Sequence, residues 1–238
     1  MSRICASLKP NSTEYADRLL QAKVETVLRH YDGGVAVDLC CASGEHLLTL
    51  APRFEFGVGL DFSKRYVTRA QGEVDARSIT HIHFLLADAK ALPLADDSVS
   101  LLYSFSSLYA IPKVETVIAE VSRVLKRGGV CVLDMGNRTS LNVYCTRYYT
   151  EWPPIFPVPY TRLRQMLRDG GLEVVEHRVF QILPLWAGRP RWLAALLHPR
   201  WKVVMSRRLG SKMIDEWVSG LPVLLRFAFR HLFVCRRR

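Results

Sequence analysis

No uncharged apolar run in this chain approaches the ~18 residues that a membrane-spanning helix needs. Even "LPVLLRFAFRHLFVC" is broken, by Arg226 and Arg230. The opening "MSRICASLKPNSTEYADR" lacks the continuous apolar stretch of a secretory signal. A soluble, cytoplasmic protein is expected, attached at most peripherally to a membrane surface. Cysteine patterning is missing too. The six cysteines, at 5, 40, 41, 131, 145 and 235, include no C-x-x-C pair and no zinc-like cluster. Adjacent Cys40 and Cys41 are poorly placed to bridge each other, so free thiols in a reducing compartment are expected, and no metal site. There is no internal repeat and no low-complexity tract.

Acid is scarce in one region only. From Ile182 onward twelve Lys and Arg face two acids, Asp215 and Glu216, and this quarter carries nearly all of the net charge of +11. It also holds Trp186, Trp192, Trp201 and Trp217, four of the five tryptophans. Such asymmetry points to an anionic partner or surface.

What the sequence does have is alternation. Polar capping residues in "NSTEYADRLLQAKVETVLRHY" precede helical spacing of Leu19, Val24 and Leu28. Strand-like runs follow at Val35–Leu39, Phe56–Leu60, Ile82–Leu86, Val99–Phe105 and Val130–Leu133. In "KVETVIAEVSRVLKRGG" one helical face carries Val114, Val117, Ile118, Val121, Val124 and Leu125. Lys126 and Arg127 are expected in its last turn, with Gly128-Gly129 as the stop. "YTRLRQMLRDGGLEVVEHRVF" adds a helix and a sixth strand, and "RFAFRHLFVC" a last one. Alternating strands and helices predict a three-layer Rossmann-like α/β fold with a mostly parallel sheet. Residues 182–226 form an insert before the last strand. Short helices are expected there, punctuated by Pro190, Pro199 and Pro222, with Trp201, Val204, Met205 and Leu209 near one helical face.

Ligands of open parallel sheets bind at the carboxyl ends of the strands. Asp38 ends the first strand, Asp61 the second, Asp88 the third, and Ser104 lies at the end of the fourth. The turn after Asp38, "DLCCASG", holds a single glycine, Gly44, where nucleotide-binding turns usually carry several. A carboxylate about 20 residues after such a turn suits the two hydroxyls of a ribose. One at the third strand end suits an exocyclic adenine amine. Asp38, by contrast, would repel a pyrophosphate so close to it, which argues against a dehydrogenase.

Taken in order, "VAVDLCCASGEH", "GVGLDFSKRYVTRA", "LLADAKALPLADDSVSLLYS" and "VSRVLKRGGVCVLD" resemble the successive motifs of class I S-adenosylmethionine-dependent methyltransferases. More narrowly they resemble the type-11 group, which includes the ubiquinone/menaquinone-biosynthesis enzymes. The resemblance covers roughly residues 31 to 137. It implies one methyltransferase domain over residues 1–238, with a seven-stranded sheet whose last strand is antiparallel. Residues 1–33 would be an N-terminal helical cap; the insert, from its tryptophans and basic residues, is expected to be an acceptor lid, a surface contact or a packing subdomain with a solvated basic rim.

The resemblance also implies roles. Asp38 and the turn of Cys40, Ala42 and Gly44 would meet the methionine portion of S-adenosylmethionine. Asp61 would bind the ribose, Phe62 the adenine face, and Asp88 and Ala89 the adenine edge, with Ser104 beneath the methionine portion. The turn departs from the family's G-x-G-x-G at Cys40 and Ala42, whose β-carbons restrict positive φ. Tyr109 and His198 are the acceptor-side candidates for catalysis, with Asn137, Arg138, Tyr148 and Tyr149 as further polar groups in that region. Tyr15 on the first helix would either close over the cofactor or pack. The expected reaction is methyl transfer, to oxygen, on a small-molecule or lipid-linked acceptor. The alternatives are a nucleic-acid methyltransferase using the basic quarter, or a non-catalytic module binding a partner or membrane. Against the former, no Asn/Asp-Pro-Pro-Tyr-like motif follows strand four.

Overall fold

The computed structural model describes residues 14–149, 154–185, 191–196 and 198–238. The first 13 residues of the expected cap, Trp186, and the side chains of Tyr148 and Tyr149 lie outside this description. The chain opens with α1 (Glu14–Arg29), β1 (Val35–Leu39), α2 (Glu45–Leu50), β2 (Phe56–Asp61), α3 (Lys64–Ala76) and β3 (Ile82–Leu86). It continues through β4 (Val99–Ser104), α4 (Val114–Val124), β5 (Leu125–Gly136), α5 (Leu141–Tyr149), α6 (Tyr160–Asp169) and β6 (Leu172–Phe180). The insert holds α7 (Arg200–Ser206), a hairpin of β7 (Arg208–Leu209) and β8 (Lys212–Met213), and α8 (Ile214–Ser219); β9 (Arg230–Arg237) ends the chain.

Seven strands form one sheet in the order β3-β2-β1-β4-β5-β9-β6, and β9 is antiparallel to both neighbours. The strand order reverses between β1 and β4, so the crevice above their carboxyl ends is the topological switch point. Period-two alternation feeds both faces. Ala36, Tyr103, Val130 and Val132 face one core, together with Leu19 and Val27 of α1 and Leu47 of α2. Val37, Leu102, Cys131 and Leu133 face the other, under Val117 and Val121 of α4 and Leu163 of α6. The three-layer seven-stranded fold expected from the sequence is the one observed. No helix among the described residues is long and apolar enough to cross a membrane.

Three boundaries differ from expectation. Helix α4 stops at Val124, and Leu125 turns extended (φ −64, ψ 139) to pair with Val99 of β4. Lys126 and Arg127 thus open a bulged strand rather than close a helix; burying Leu125 outweighs their attraction to a helix terminus. Strand β9 begins at Arg230, not Arg226, because residues 224–226 form a 3-10 turn. The Asn137 amide holds that approach by donating to the carbonyls of Arg226 (2.8 Å) and Ala228 (2.9 Å). Helix α7 ends at Ser206, so Leu209 leaves the face of Trp201 and Met205 and stands exposed on the hairpin turned by Gly210 (φ +65).

Two acids fasten the insert. The Asp215 carboxylate is buried and accepts from the Tyr15 hydroxyl (2.6 Å) and the Gln181 amide (2.7 Å). Glu216 receives both arms of Arg178 from β6, at 2.8 and 2.7 Å. Tyr15 is therefore a fully buried packing residue, not a gate.

Candidate functional site

The turn after β1 is held by backbone geometry that its sequence does not favour. Cys40 (φ 62) and Ala42 (φ 47) both occupy the left-handed region, as does Gly44 (φ 73). A β-carbon on Gly44 would stand 2.3 Å from the ring of Phe84, so only glycine fits there. The Asp61 carboxylate braces the turn, accepting from the amides of Ala42 and Ser63, both at 2.9 Å. Both its oxygens keep acceptor capacity, since an ionised carboxylate offers about four lone-pair sites.

Around this turn lies a cleft of two chambers. The first, of about 360 Å³, is lined by Asp38, Ala42 and His46 on one side and by Lys23, Ser106 and Arg230 on the other. The second, of about 590 Å³, is lined by Asp61, Phe62, Asp88, Ala89 and Lys90 among others. Cys40, Ala42, Ser106 and Ser107 line both, so the chambers meet at the turn.

The chambers differ in chemistry. In the second, Phe62 is 81% exposed at the rim, an aromatic face open to a planar ligand. Asp88 is exposed and accepts from the Lys90 amide through Oδ1 (2.9 Å). In the first, Asp38 is buried and its Oδ2 has no hydrogen-bond partner among the described residues. Burial pushes its carboxyl well above the usual range; nearby Tyr103 tempers the shift and Asp61 adds to it. The Tyr103 hydroxyl is itself left without a hydrogen bond, so it lies beside the carboxyl without satisfying it. An orphaned buried carboxyl facing a cavity suits a cationic ligand group. Cys40, by contrast, is pushed up to about 12 by burial and the surrounding acids, so it is a protonated wall residue and not a nucleophile.

The structure brings Asp38, Cys40, Ala42, Asp61, Phe62, Asp88 and Ala89 onto one cleft. Gly44 shapes the turn from behind. Ser104 is fully buried and lines neither chamber; Phe105, Ser106 and Ser107, the next residues along, do. His198 lies on the insert surface, where its Nδ1 accepts from the Arg200 amide (3.2 Å), away from both chambers. Tyr109 also lines neither, but its hydroxyl stands 3.5 Å from Arg230, which does. No described residue of 182–226 lines the cleft, whereas Ala16, Leu19, Leu20 and Lys23 of α1 form one wall of the first chamber.

One group escaped sequence reasoning. The Asp134 Oδ2 accepts from Lys23 Nζ (2.5 Å) and from Arg230 (2.7 Å), and all three side chains are buried. Ser106 joins them, donating its amide to Asp134 (3.1 Å) and accepting at its hydroxyl from Lys23 (3.1 Å) and Arg230 (2.9 Å). The signal was present: Asp134 is a fourth acid near a strand's carboxyl end, and Lys23 interrupts an apolar helix face.

Comparison with known proteins agrees with this geometry. Residues 37–133 match a family model described as a methyltransferase domain. Demethylmenaquinone methyltransferase of Bacillus velezensis is 28% identical over 138 residues, covering 57% of this chain and 59% of that protein. The chain thus spans about three-fifths of the length of the curated relatives it matches. Among solved structures, geranyl diphosphate C-methyltransferase of Streptomyces coelicolor, with S-adenosyl-L-homocysteine bound, superposes with a TM-score of 0.64. It shows 15% identity, over 99% of this chain and 88% of that one. A [4+2]-cyclase named SpnF superposes with a TM-score of 0.63 and 19% identity, over 97% of this chain and 84% of that one. These structural likenesses establish the fold alone.

Proposed function

As the bearer of a methyltransferase domain at residues 37–133, the protein, we propose, transfers a methyl group from S-adenosylmethionine to a small-molecule or lipid-linked acceptor. The observation that carries this reading is the two-chambered cleft with an orphaned carboxyl at one end and an open aromatic face at the other. An adenosine bearing an amino-acid tail has that polarity.

In this reading Asp38 accepts the ammonium of the methionine tail, which restores its ionised form. Asp61 takes the ribose hydroxyls with the acceptor capacity left beyond Ala42 and Ser63. Phe62 stacks on the adenine, Asp88 meets its amine, and Ala89 offers backbone. Cys40 and Ala42 form the narrow wall where the chambers meet. When bound, S-adenosylmethionine supplies a methyl carbon already activated by a sulfonium. The chain's residues then need only align the acceptor and exclude water. An oxygen acceptor is favoured by the polar far wall of the first chamber, where Lys23 and Ser106 can orient a hydroxyl.

Calorimetric titration with S-adenosylhomocysteine tests the reading. Micromolar to sub-millimolar binding is expected, and Asp61→Ala weakens it about 10- to 100-fold, the worth of hydrogen bonds to a charged acceptor. Absence of binding would overturn it. Transfer of a 13C-methyl group, followed by NMR of the product, separates a methoxy from a carbon-bound methyl.

A second reading concerns the surface. The insert exposes Trp192, Leu209, Trp217, Leu221 and Val223, while its two acids are turned inward to Tyr15 and Arg178. Arg191, Arg200, Arg207 and Arg226 belong to the same segment. Exposed tryptophan among arginines fits a peripheral contact with an anionic membrane. Such a contact would suit a lipid-linked acceptor.

A further inference from the structure

We infer that Lys23 and Arg230 form an anion-holding wall of the first chamber that selects an acceptor carrying a carboxylate or phenolate oxygen. The inference rests on the methyl-donor reading for what occupies the rest of the cleft, but its own basis is separate. Lys23 and Arg230 line the chamber, yet both are more than nine-tenths buried. Asp134, their shared partner, is not among the lining residues; it stands behind them. Two cations with one carboxylate leave one positive charge uncompensated within the cluster, and the cations are what the chamber meets. A buried charge that no partner balances is costly. An anionic oxygen in the chamber would relieve that cost.

The state of Lys23 agrees. Burial lowers its ammonium to about 8, Asp134 opposes the shift, and Arg230 deepens it. A cluster built only to lock α1 to the sheet would gain from a balanced pair. Here a second cation has been added on the cavity side.

Position bears on which ligand meets this wall. The chamber also holds acids: Asp38 belongs to β1, Glu45 to the helix that follows it, and Asp17 to α1, six residues before Lys23, whereas the charges that act on Lys23 are those of Asp134 and Arg230. Asp134 and Arg230 stand on β5 and β9, two and three strands further along the sheet. At about 4.8 Å per strand, their backbones stand roughly 10 to 14 Å from that of β1, with the Arg230 side chain reaching back to Ser106 (2.9 Å). The donor's carboxylate shares a carbon with the ammonium assigned to Asp38, and the S-adenosylhomocysteine affinity of a Lys23→Met protein tells whether it or an acceptor meets this wall. An acceptor's negative oxygen would be drawn to Lys23 and Arg230, with Ser106 beside them.

The test uses benzoate and benzamide as probes of equal shape and different charge, titrated by NMR into the full chain with and without saturating S-adenosylhomocysteine. Benzoate is expected to bind at least tenfold more tightly than benzamide. Lys23→Met should remove most of that difference and leave S-adenosylhomocysteine affinity within about threefold, while Lys23→Arg retains it. Equal affinity for the two probes overturns the inference, and that comparison needs no variant. Loss of S-adenosylhomocysteine binding in Lys23→Met, with benzoate unaffected, also overturns it by giving the wall to the donor. Failure of the wild-type protein to bind S-adenosylhomocysteine counts against the methyl-donor reading instead, and the probe comparison without it still decides this one.

Discussion

Ala42 and Gly44 show how differently two small residues can serve one turn. A non-glycine residue in the left-handed region costs about 1–2 kcal/mol, and Ala42 bears it because Asp61 holds its amide at 2.9 Å. Replacing Ala42 with glycine relieves that strain but loosens the unfolded chain by about 0.4–1 kcal/mol. The net change in stability should therefore be small and positive. The larger effect expected is on ligand approach, since the β-carbon facing both chambers is gone. S-adenosylhomocysteine should bind several-fold more tightly to Ala42→Gly, as read by calorimetry; weaker binding would show that the methyl group is needed as a wall. Gly44→Ala should behave oppositely, losing about 1–3 kcal/mol because the new methyl meets Phe84 and φ is positive. A fall in thermal midpoint measures it. At this scale the sequence was most legible where chemistry follows position. Asp38, Asp61 and Asp88 end or follow strands whose alternation is plain. Lys23, Asp134 and Arg230 were hidden because their partners stand 111 and 96 residues apart. Lys23 interrupts an apolar helix face, but that local signal does not tell a lysine that turns inward from one that snorkels to solvent.

Elements were legible in kind more than in extent. Strands β1 and β3 have the expected bounds, since each is a short apolar run closed by turn residues. The end of α4 was not legible, because helical periodicity continues through Leu125 while the pairing with Val99 that claims it is non-local. Pairing of β6 with β9 was likewise invisible, and it creates the least expected contact in the sheet. His177 Nε2 and His231 Nδ1 stand 2.9 Å apart, with the rings of His177 and Phe233 stacked at 4.3 Å. Burial, with Arg164 nearby, lowers His177 to about 4; burial and His177 lower His231 to about 3. Both are neutral in the folded chain, whereas in the unfolded chain each titrates near 6.5. Below about pH 6.5 the unfolded state therefore binds protons that the folded state refuses. Stability should be complete above that pH and fall as pH drops toward 4, by about 3 kcal/mol for one such histidine. Urea midpoints between pH 7 and 5 check this, ahead of most carboxylate titration. A His177→Phe protein should show a flatter profile in that window, and an unchanged slope would assign the loss elsewhere.

At the scale of the molecule, charge and function divide along the chain. Among the described residues the cleft is built from those up to Pro112 together with Arg230, and the described insert contributes nothing to it. The insert was expected to be a lid, a surface contact or a packing subdomain, and among the described residues α1 rather than the insert supplies the cleft wall. Its exposed apolar and basic side chains stand outside the cleft, and on the peripheral-contact reading they would meet an anionic surface. With Asp215 and Glu216 spent inside, each outward arginine near an anionic bilayer is worth about 1 kcal/mol of attraction. That attraction fades as the screening length falls from about 8 Å at 0.15 M salt to about 3 Å at 1 M. Trp192 and Val223, 66% and 69% exposed, would supply the apolar part of the contact. Flotation with vesicles containing an anionic phospholipid should therefore recover the protein at 0.15 M salt, and far less of it at 1 M. Neutral vesicles should recover little. Trp192→Ser combined with Val223→Ser should lower recovery several-fold without changing S-adenosylhomocysteine affinity, because neither residue touches the cleft. Equal recovery on neutral vesicles would mean that the basic residues are not what the surface uses. Salt-sensitive binding to RNA with no flotation would return the basic quarter to the nucleic-acid reading.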